Sequence, residues 1–151
     1  MLGIVIATHG TMSDGIKDAV NTIIGFADYI KTVNLLTGNP VDELGDLVKE
    51  NIEAADEGDG VIVFTDLISA SPYNQSIIAI SRLKELQQSN IYIIGGVNLP
   101  MVIEAVNHRF LATDIHETIE SITNQGKDSI GIWHKSSVEN SFEDDEDEDD
   151  F

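Results

Sequence analysis

The stretch Leu2-Gly-Ile-Val-Ile-Ala-Thr-His-Gly10 decides how this chain is read. Its core, Ile4-Val-Ile-Ala7, is short, apolar and rich in β-branched residues, the pattern of a strand buried on both faces. It ends in Thr8-His9-Gly10, and apolar residues at helical spacing follow. Open α/β sheets carry their chemistry at such points, where a strand's carboxyl end turns into a helix. The residue standing there is a histidine, the side chain best suited to hold and pass on a transferable group near neutral pH. Position alone admits a second reading, in which His9 is a turn residue at a strand end.

Outward from this unit the pattern repeats. Ser13 reads as the N-cap of a helix carrying Ile16, Ala19, Val20, Ile23 and Ile24, with Gly25 as its stop. Ile30–Leu36 reads as a second strand, broken by Thr37-Gly-Asn-Pro40, and Val41, Leu44, Leu47, Val48, Ile52 and Ala55 mark a second helix. Gly60–Asp66 is a third strand, again almost continuously apolar, and it too ends in a polar residue. Ser71 as N-cap and Pro72 at the first helical position start a third helix, whose buried side the spacing assigns to Ile77, Ile78, Ile80, Leu83 and Leu86. Asn90–Ile94 is a fourth strand, and Val97-Asn-Leu-Pro100 opens a helix bearing Met101, Val102, Ala105 and Val106.

Alternation of this kind predicts an α/β fold: an open, mainly parallel four-stranded sheet with helices on both faces. Right-handed crossovers then bring all four strand ends to one edge. Leu111, Ile115, Ile119 and Ile122 suggest a fifth helix, and Gly126-Lys-Asp a turn. Ser129-Ile-Gly-Ile-Trp133 reads as a short last strand at a sheet edge. The expected organisation is one domain over 1–135, then an acidic tail over 136–151 too poor in apolar residues to order itself.

The chain has 151 residues, 42% hydrophobic, and a net charge of −19. Residues 143–150 are all Asp or Glu, and without those eight, 19 acids still face 8 bases, a balance of −11. So few cations cannot neutralise many phosphates, which argues against nucleic acid as a partner. An acidic body serves solubility, or steers a basic protein partner. No apolar run reaches the roughly 18 residues that span a bilayer. No basic segment precedes the first strand, so no signal peptide is expected. The absence of cysteine removes disulfides, thiolate metal sites and a cysteine nucleophile, and suits the cytoplasm.

His9 and Asp66 end two strands on the same predicted edge. A carboxylate that accepts one imidazole N–H fixes the tautomer and leaves the other nitrogen as nucleophile. The competing reading of Asp66 is a turn or helix cap. Ser69-Ala-Ser71-Pro72 leads into a helix start, where free N–H groups and the dipole favour an anion such as a phosphoryl group, although most such starts are only caps. No GxxxxGK[ST] run is present, so no P-loop is read. His108, His116 and His134 lack ligand spacing, and no metal or other cofactor is assigned. Met12 and Met101 flank the active-edge turns and read as packing residues, or as an adaptable partner surface.

Three segments together resemble the enzyme IIA domain of the mannose family of the phosphoenolpyruvate-dependent sugar phosphotransferase system. They are Gly3–Gly10, then Val63-Phe-Thr-Asp66 with Ser71-Pro-Tyr-Asn74, and Gly96-Val-Asn-Leu-Pro-Met101. The resemblance covers roughly residues 1–133. It implies a relay in which His9 accepts a phosphoryl group from the histidine-containing phosphocarrier protein and passes it to a IIB component. That component would phosphorylate a mannose-class sugar during transport, so the membrane is involved only through the transporter subunits. Asp66 matches the aspartate that orients the histidine, and Ser71 a residue beside the phosphoryl group. The resemblance also implies a homodimer in which the last strand, here Ser129–Trp133, crosses to the neighbour's sheet. The family carries a glycine-rich run before Ser-Pro, whereas this chain has Leu67-Ile-Ser-Ala70, and the acidic tail lies outside the family pattern. Two other readings share the architecture: the histidine-bearing relay subunit of dihydroxyacetone kinase systems, and a non-enzymatic α/β regulatory module.

Overall fold

Ile4–Ala7 and Val61–Phe64 are wholly buried and form the two central strands of the sheet. The computed structural model describes residues 1–137. Its elements in chain order are β1 (Gly3–His9), α1 (Met12–Ile24), β2 (Ile30–Leu35), α2 (Val41–Ala55), β3 (Val61–Thr65), α3 (Ser71–Ser81), α4 (Glu85–Gln88), β4 (Ile91–Ile94), α5 (Leu99–Leu111) and α6 (Ile115–Asp128). The strands lie in the order β2-β1-β3-β4, all parallel.

Strand periodicity sorts the central side chains onto two faces. Ile4, Ile6, Ile62 and Phe64 pack with Val20 of α1, Val102 and Val106 of α5, and Ile122 of α6. Val5, Ala7, Val61 and Val63 pack with Leu44, Val48 and Ile52 of α2 and Ala79 of α3. Each of these valine, leucine, isoleucine and phenylalanine side chains, removed from water, contributes about 1.5–3 kcal/mol. β4, with a neighbour on one side only, leaves Ile91, Tyr92 and Ile93 half-buried.

The order of the strands positions the site. From β1 the chain moves outward through α1 to β2, then back across β1 through α2 to β3. A right-handed crossover can reverse direction only by changing face, so α1 and α2 lie on opposite sides. The chain therefore leaves the adjacent ends of β1 and β3 toward opposite faces, and a crevice opens between them.

Several sequence expectations shift. Helix α1 starts at Met12, and Ser13 lies buried in its first turn instead of capping it. The Ser13 N–H is satisfied by the Thr8 hydroxyl at 2.9 Å, so β1 itself caps the helix. Ala70 is the N-cap of α3, with Ser71 and Pro72 its first two residues. That helix buries Pro72, Ser76 and Ala79, while Ile77 and Ile78 face outward and Leu86 falls on the separate α4, fully open. α2 packs closely on α3 there, and a Cβ on Gly45 would meet the end of the Gln75 side chain at 2.8 Å. Leu111 closes α5 and is exposed, and Gly126 lies inside α6, where Met101 occupies the space a Cβ would need.

Ser129–Trp133, expected as a strand exchanged between two copies, is not a strand in the single chain. Within this chain it pairs with neither sheet edge, and the described sheet has four strands. A strand exists only against a partner edge. Here Ile130, Ile132 and Trp133 are 78%, 93% and 75% exposed. Residues 135–137 are helical, and the rest of the expected acidic tail, 138–151, lies outside the described residues. Among the described residues no helix is long and apolar enough to cross a membrane.

Candidate functional site

His9 is the last residue of β1, and Asp66 immediately follows β3. The register with β3 ends at Ala7 and Thr65, so Thr8 and His9, still paired with Asn34 and Leu35 of β2, run on beside Asp66. Asp66 Oδ2 accepts the His9 ring Nδ1–H at 2.7 Å and the His9 backbone N–H at 3.1 Å. Asp66 Oδ1 accepts the Leu67 N–H at 3.0 Å. The Asp66 side chain is 11% exposed and that of His9 45%. The carboxylate thus stands at the floor of the crevice, with the imidazole at its mouth.

Burial pushes the Asp66 carboxyl up, but the hydrogen bonds from the His9 ring and backbone, with the attraction of the imidazole, outweigh it and hold the group below its ordinary value. An ionised carboxylate only accepts, so Nδ1 carries a proton, and in the neutral tautomer this leaves the lone pair on Nε2. Among the described residues Nε2 of His9 has no hydrogen-bond partner, and this nitrogen is positioned to act as a nucleophile.

The turn beneath His9 is pinned. Gly10, at φ 57°, donates its N–H to the Leu35 carbonyl at 2.8 Å. Thr8 and Ser13 are fully buried, and the Ser13 hydroxyl donates to Asn34 Oδ1. Asn34 Nδ2 in turn donates to Asp14 Oδ2 at 2.6 Å. Hydrogen bonds from Thr32 and Asn34 hold the Asp14 carboxyl low. Sequence reasoning missed this network, because nothing local joins residues 8, 13 and 34. The only signal was a polar Thr8 inside an apolar strand.

Ser69 and Ala70 lie on the connection from Asp66 to α3, and Ser71 is the first residue of that helix. The described hydrogen bonds join none of them to His9. They do place the first turn of α3, with its unpaired N–H groups, at the carboxyl edge of β3. The connection after β4 borders it: Gly96 N–H donates to the Asp66 carbonyl at 3.1 Å and Val97 N–H to that of Thr65 at 3.0 Å. Asn98 caps α5 through Met101 N–H and donates to the Gly126 carbonyl, so the Gly96–Met101 segment has a structural task. Met12, Leu36, Leu67 and Ile68 surround this edge and are exposed, whereas Met101 is packed as read. The other histidines bind elsewhere: His108 joins Glu104, Thr113 and Ser121 between α5 and α6, His116 meets the Tyr92 hydroxyl, and His134 meets Ser136.

A parallel α/β sheet with a carboxylate-oriented imidazole at its switch point defines a class of domain that presents one nucleophilic nitrogen at an open edge. The chain belongs to the EIIA-man family, described as the PTS system fructose IIA component, which matches residues 3–123. It is 29% identical over 136 residues to YadI of Escherichia coli (strain K12), whose name describes a phosphotransferase enzyme IIA component, covering 89% of each chain. It is 31% identical over 136 residues to the transcriptional regulatory protein LevR of Bacillus subtilis (strain 168), covering 89% of this chain and 14% of LevR. A crystal structure of phosphotransferase system component EIIA from Streptococcus agalactiae matches at a TM-score of 0.75 and 22% identity, over 87% of this chain and 97% of that one, which shows a shared fold. Family membership makes this chain a phosphotransfer component of a sugar phosphotransferase system.

Proposed function

We propose that His9 is the phosphoryl carrier of the chain. The histidine-containing phosphocarrier protein is the donor, and a IIB component is the acceptor that phosphorylates a mannose-class sugar during transport. One observation carries this reading: Asp66 Oδ2 holds the Nδ1–H of His9 at 2.7 Å and leaves Nε2 unpartnered at the mouth of the crevice. In the forward step the Nε2 lone pair attacks phosphorus in line. The bond from phosphorus to the donor's histidine nitrogen breaks, and that nitrogen keeps the electron pair. The proton on Nδ1 stays in place, and the Asp66 carboxylate stabilises the positive charge on the phosphorylated ring. The reverse geometry passes the group to IIB. N–H and hydroxyl groups of Ser69, Ala70 and Ser71 are the proposed donors to the phosphoryl oxygens. No cofactor enters, because transfer between two imidazoles needs positioning and charge stabilisation alone. The working form in this reading is a cytoplasmic homodimer in which Ser129–Trp133 adds to the partner's sheet.

Incubation with phosphoenolpyruvate, enzyme I and the phosphocarrier should attach one acid-labile, base-stable phosphate. His9→Ala should abolish it, and labelling of that variant would overturn the assignment.

A further inference from the structure

Ser69 stands in the left-handed backbone region, at φ 63°. The connection that contains it, Leu67–Ala70, has no glycine. An L residue is disfavoured there because its Cβ crowds the following carbonyl. Such a conformation persists only where the surroundings impose it. The near side is fastened by the Leu67 N–H on Asp66 Oδ1 and by Ile68, which fills the space beside Gly95 so closely that a Cβ there would lie 2.6 Å from Ile68 Cγ1. The far side is fastened by one residue. Asn74 donates its side-chain Nδ2 to the Ser69 carbonyl at 3.0 Å and its backbone N–H to the Ala70 carbonyl at 2.9 Å. Two successive peptide carbonyls bound by one residue leave the intervening backbone little freedom.

We propose that Asn74 is a positioning residue for phosphoryl transfer, resting on the function proposed above. It holds Ser69 left-handed and so fixes the path of the chain from Asp66 to Ser71. Asn74 acts through the backbone and touches neither His9 nor Asp66 in the described hydrogen bonds. Without it Ser69 relaxes toward the ordinary right-handed or extended regions, and the chain leaving Asp66 takes a new direction. The carboxylate that orients His9 and the α3 N-terminus then lose their fixed spacing.

The test is a double-mutant cycle on the full chain, read by phosphoryl uptake from the phosphocarrier and by the backbone amide-to-Cα proton coupling at position 69. Asn74→Ala should lower the maximal rate roughly tenfold, with half-saturation by the phosphocarrier changed far less, as expected of misplaced reacting groups. In a Ser69→Gly background the same substitution should cost less than about twofold, because glycine adopts positive φ freely. Asn74→Asp, equal in size but unable to donate, should behave as Asn74→Ala does. An equal loss in both backgrounds, or no loss in either, overturns the proposal. If the wild-type chain takes up no phosphate, the functional reading falls, and the coupling decides the loop. A coupling shifted by Asn74→Ala in the Ser69 chain sustains the clamp, and an unchanged one overturns it.

Discussion

One oxygen of Asp66 accepts both the ring Nδ1–H and the backbone N–H of His9, at 2.7 and 3.1 Å. The side chain and main chain of the same residue are thus referenced to a single atom on the neighbouring strand. A ring tethered only by its side chain could tilt about that bond, whereas here the backbone from which it hangs is held by the same acceptor.

Removing the carboxylate should therefore act on orientation more than on folding. Asp66→Asn keeps the size but can present an N–H to the ring, and Asp66→Ala frees the ring to rotate. Both should slow phosphoryl transfer at least about tenfold, equivalent to roughly 1.4 kcal/mol. Asp66→Ala should also yield a mixture of Nδ1- and Nε2-phosphorylated histidine, resolved by phosphorus NMR, where the wild type should give Nε2 alone. Wild-type rates in Asp66→Ala would reduce Asp66 to a cap.

The same pair predicts an acid-side dependence. The folded-state carboxyl of Asp66 lies below its ordinary value of 3.8. Its stabilising contribution is therefore complete above that unfolded value, and is lost as pH falls through the lower folded one. Asp14, lowered by its Thr32 and Asn34 bonds, contributes with the same sign. Denaturant midpoints measured between about pH 6 and pH 2 should fall more steeply for the wild type than for Asp66→Asn. Parallel curves would remove this contribution.

Thr8 supplies the acceptor for a buried N–H at the start of α1. Thr8→Val keeps the shape and strands that donor, so it should destabilise the fold by about 1–3 kcal/mol in equilibrium unfolding. Thr8→Ser retains the hydroxyl and should cost clearly less. Equal losses would trace the effect to the methyl group and its packing.

Trp133 is the only tryptophan in the chain and is 75% exposed. If Ser129–Trp133 joins a second copy, emission should shift to the blue as concentration rises, in step with dimer formation in sedimentation. A chain ending at Asp128 should sediment as a monomer. A clean dimer from that truncation would place the contact elsewhere.

The sheet was legible because Ile4–Ala7 and Val61–Phe64 are apolar on both faces, a pattern few other structures produce. The candidate pair was legible for a related reason: His9 and Asp66 are polar residues placed directly after such runs. What escaped was non-local. The outward turn of Ile77 and Ile78 goes with the packing of α3 on α2, where Gln75 lies against Gly45, some thirty positions earlier. Gly126 reads as a turn until Met101 is seen beside it. The Thr8–Ser13–Asn34 chain joins residues whose partners only the parallel register reveals. Ser129–Trp133 has strand composition but joins neither edge of its own sheet, so periodicity alone could not place it.

α1 and α3 depart toward opposite faces, and the half-exposed ring of His9 stands between them. In the proposed relay donor and acceptor would both have to reach this one nitrogen, so charging and discharging would alternate, and the chain would release one visitor before admitting the next. Such turn-taking gives parallel lines in double-reciprocal plots. It also makes each visitor, in excess, an inhibitor of the other's step. Throughput then hangs on how briefly each stays, which favours weak and quickly reversed encounters over tight ones.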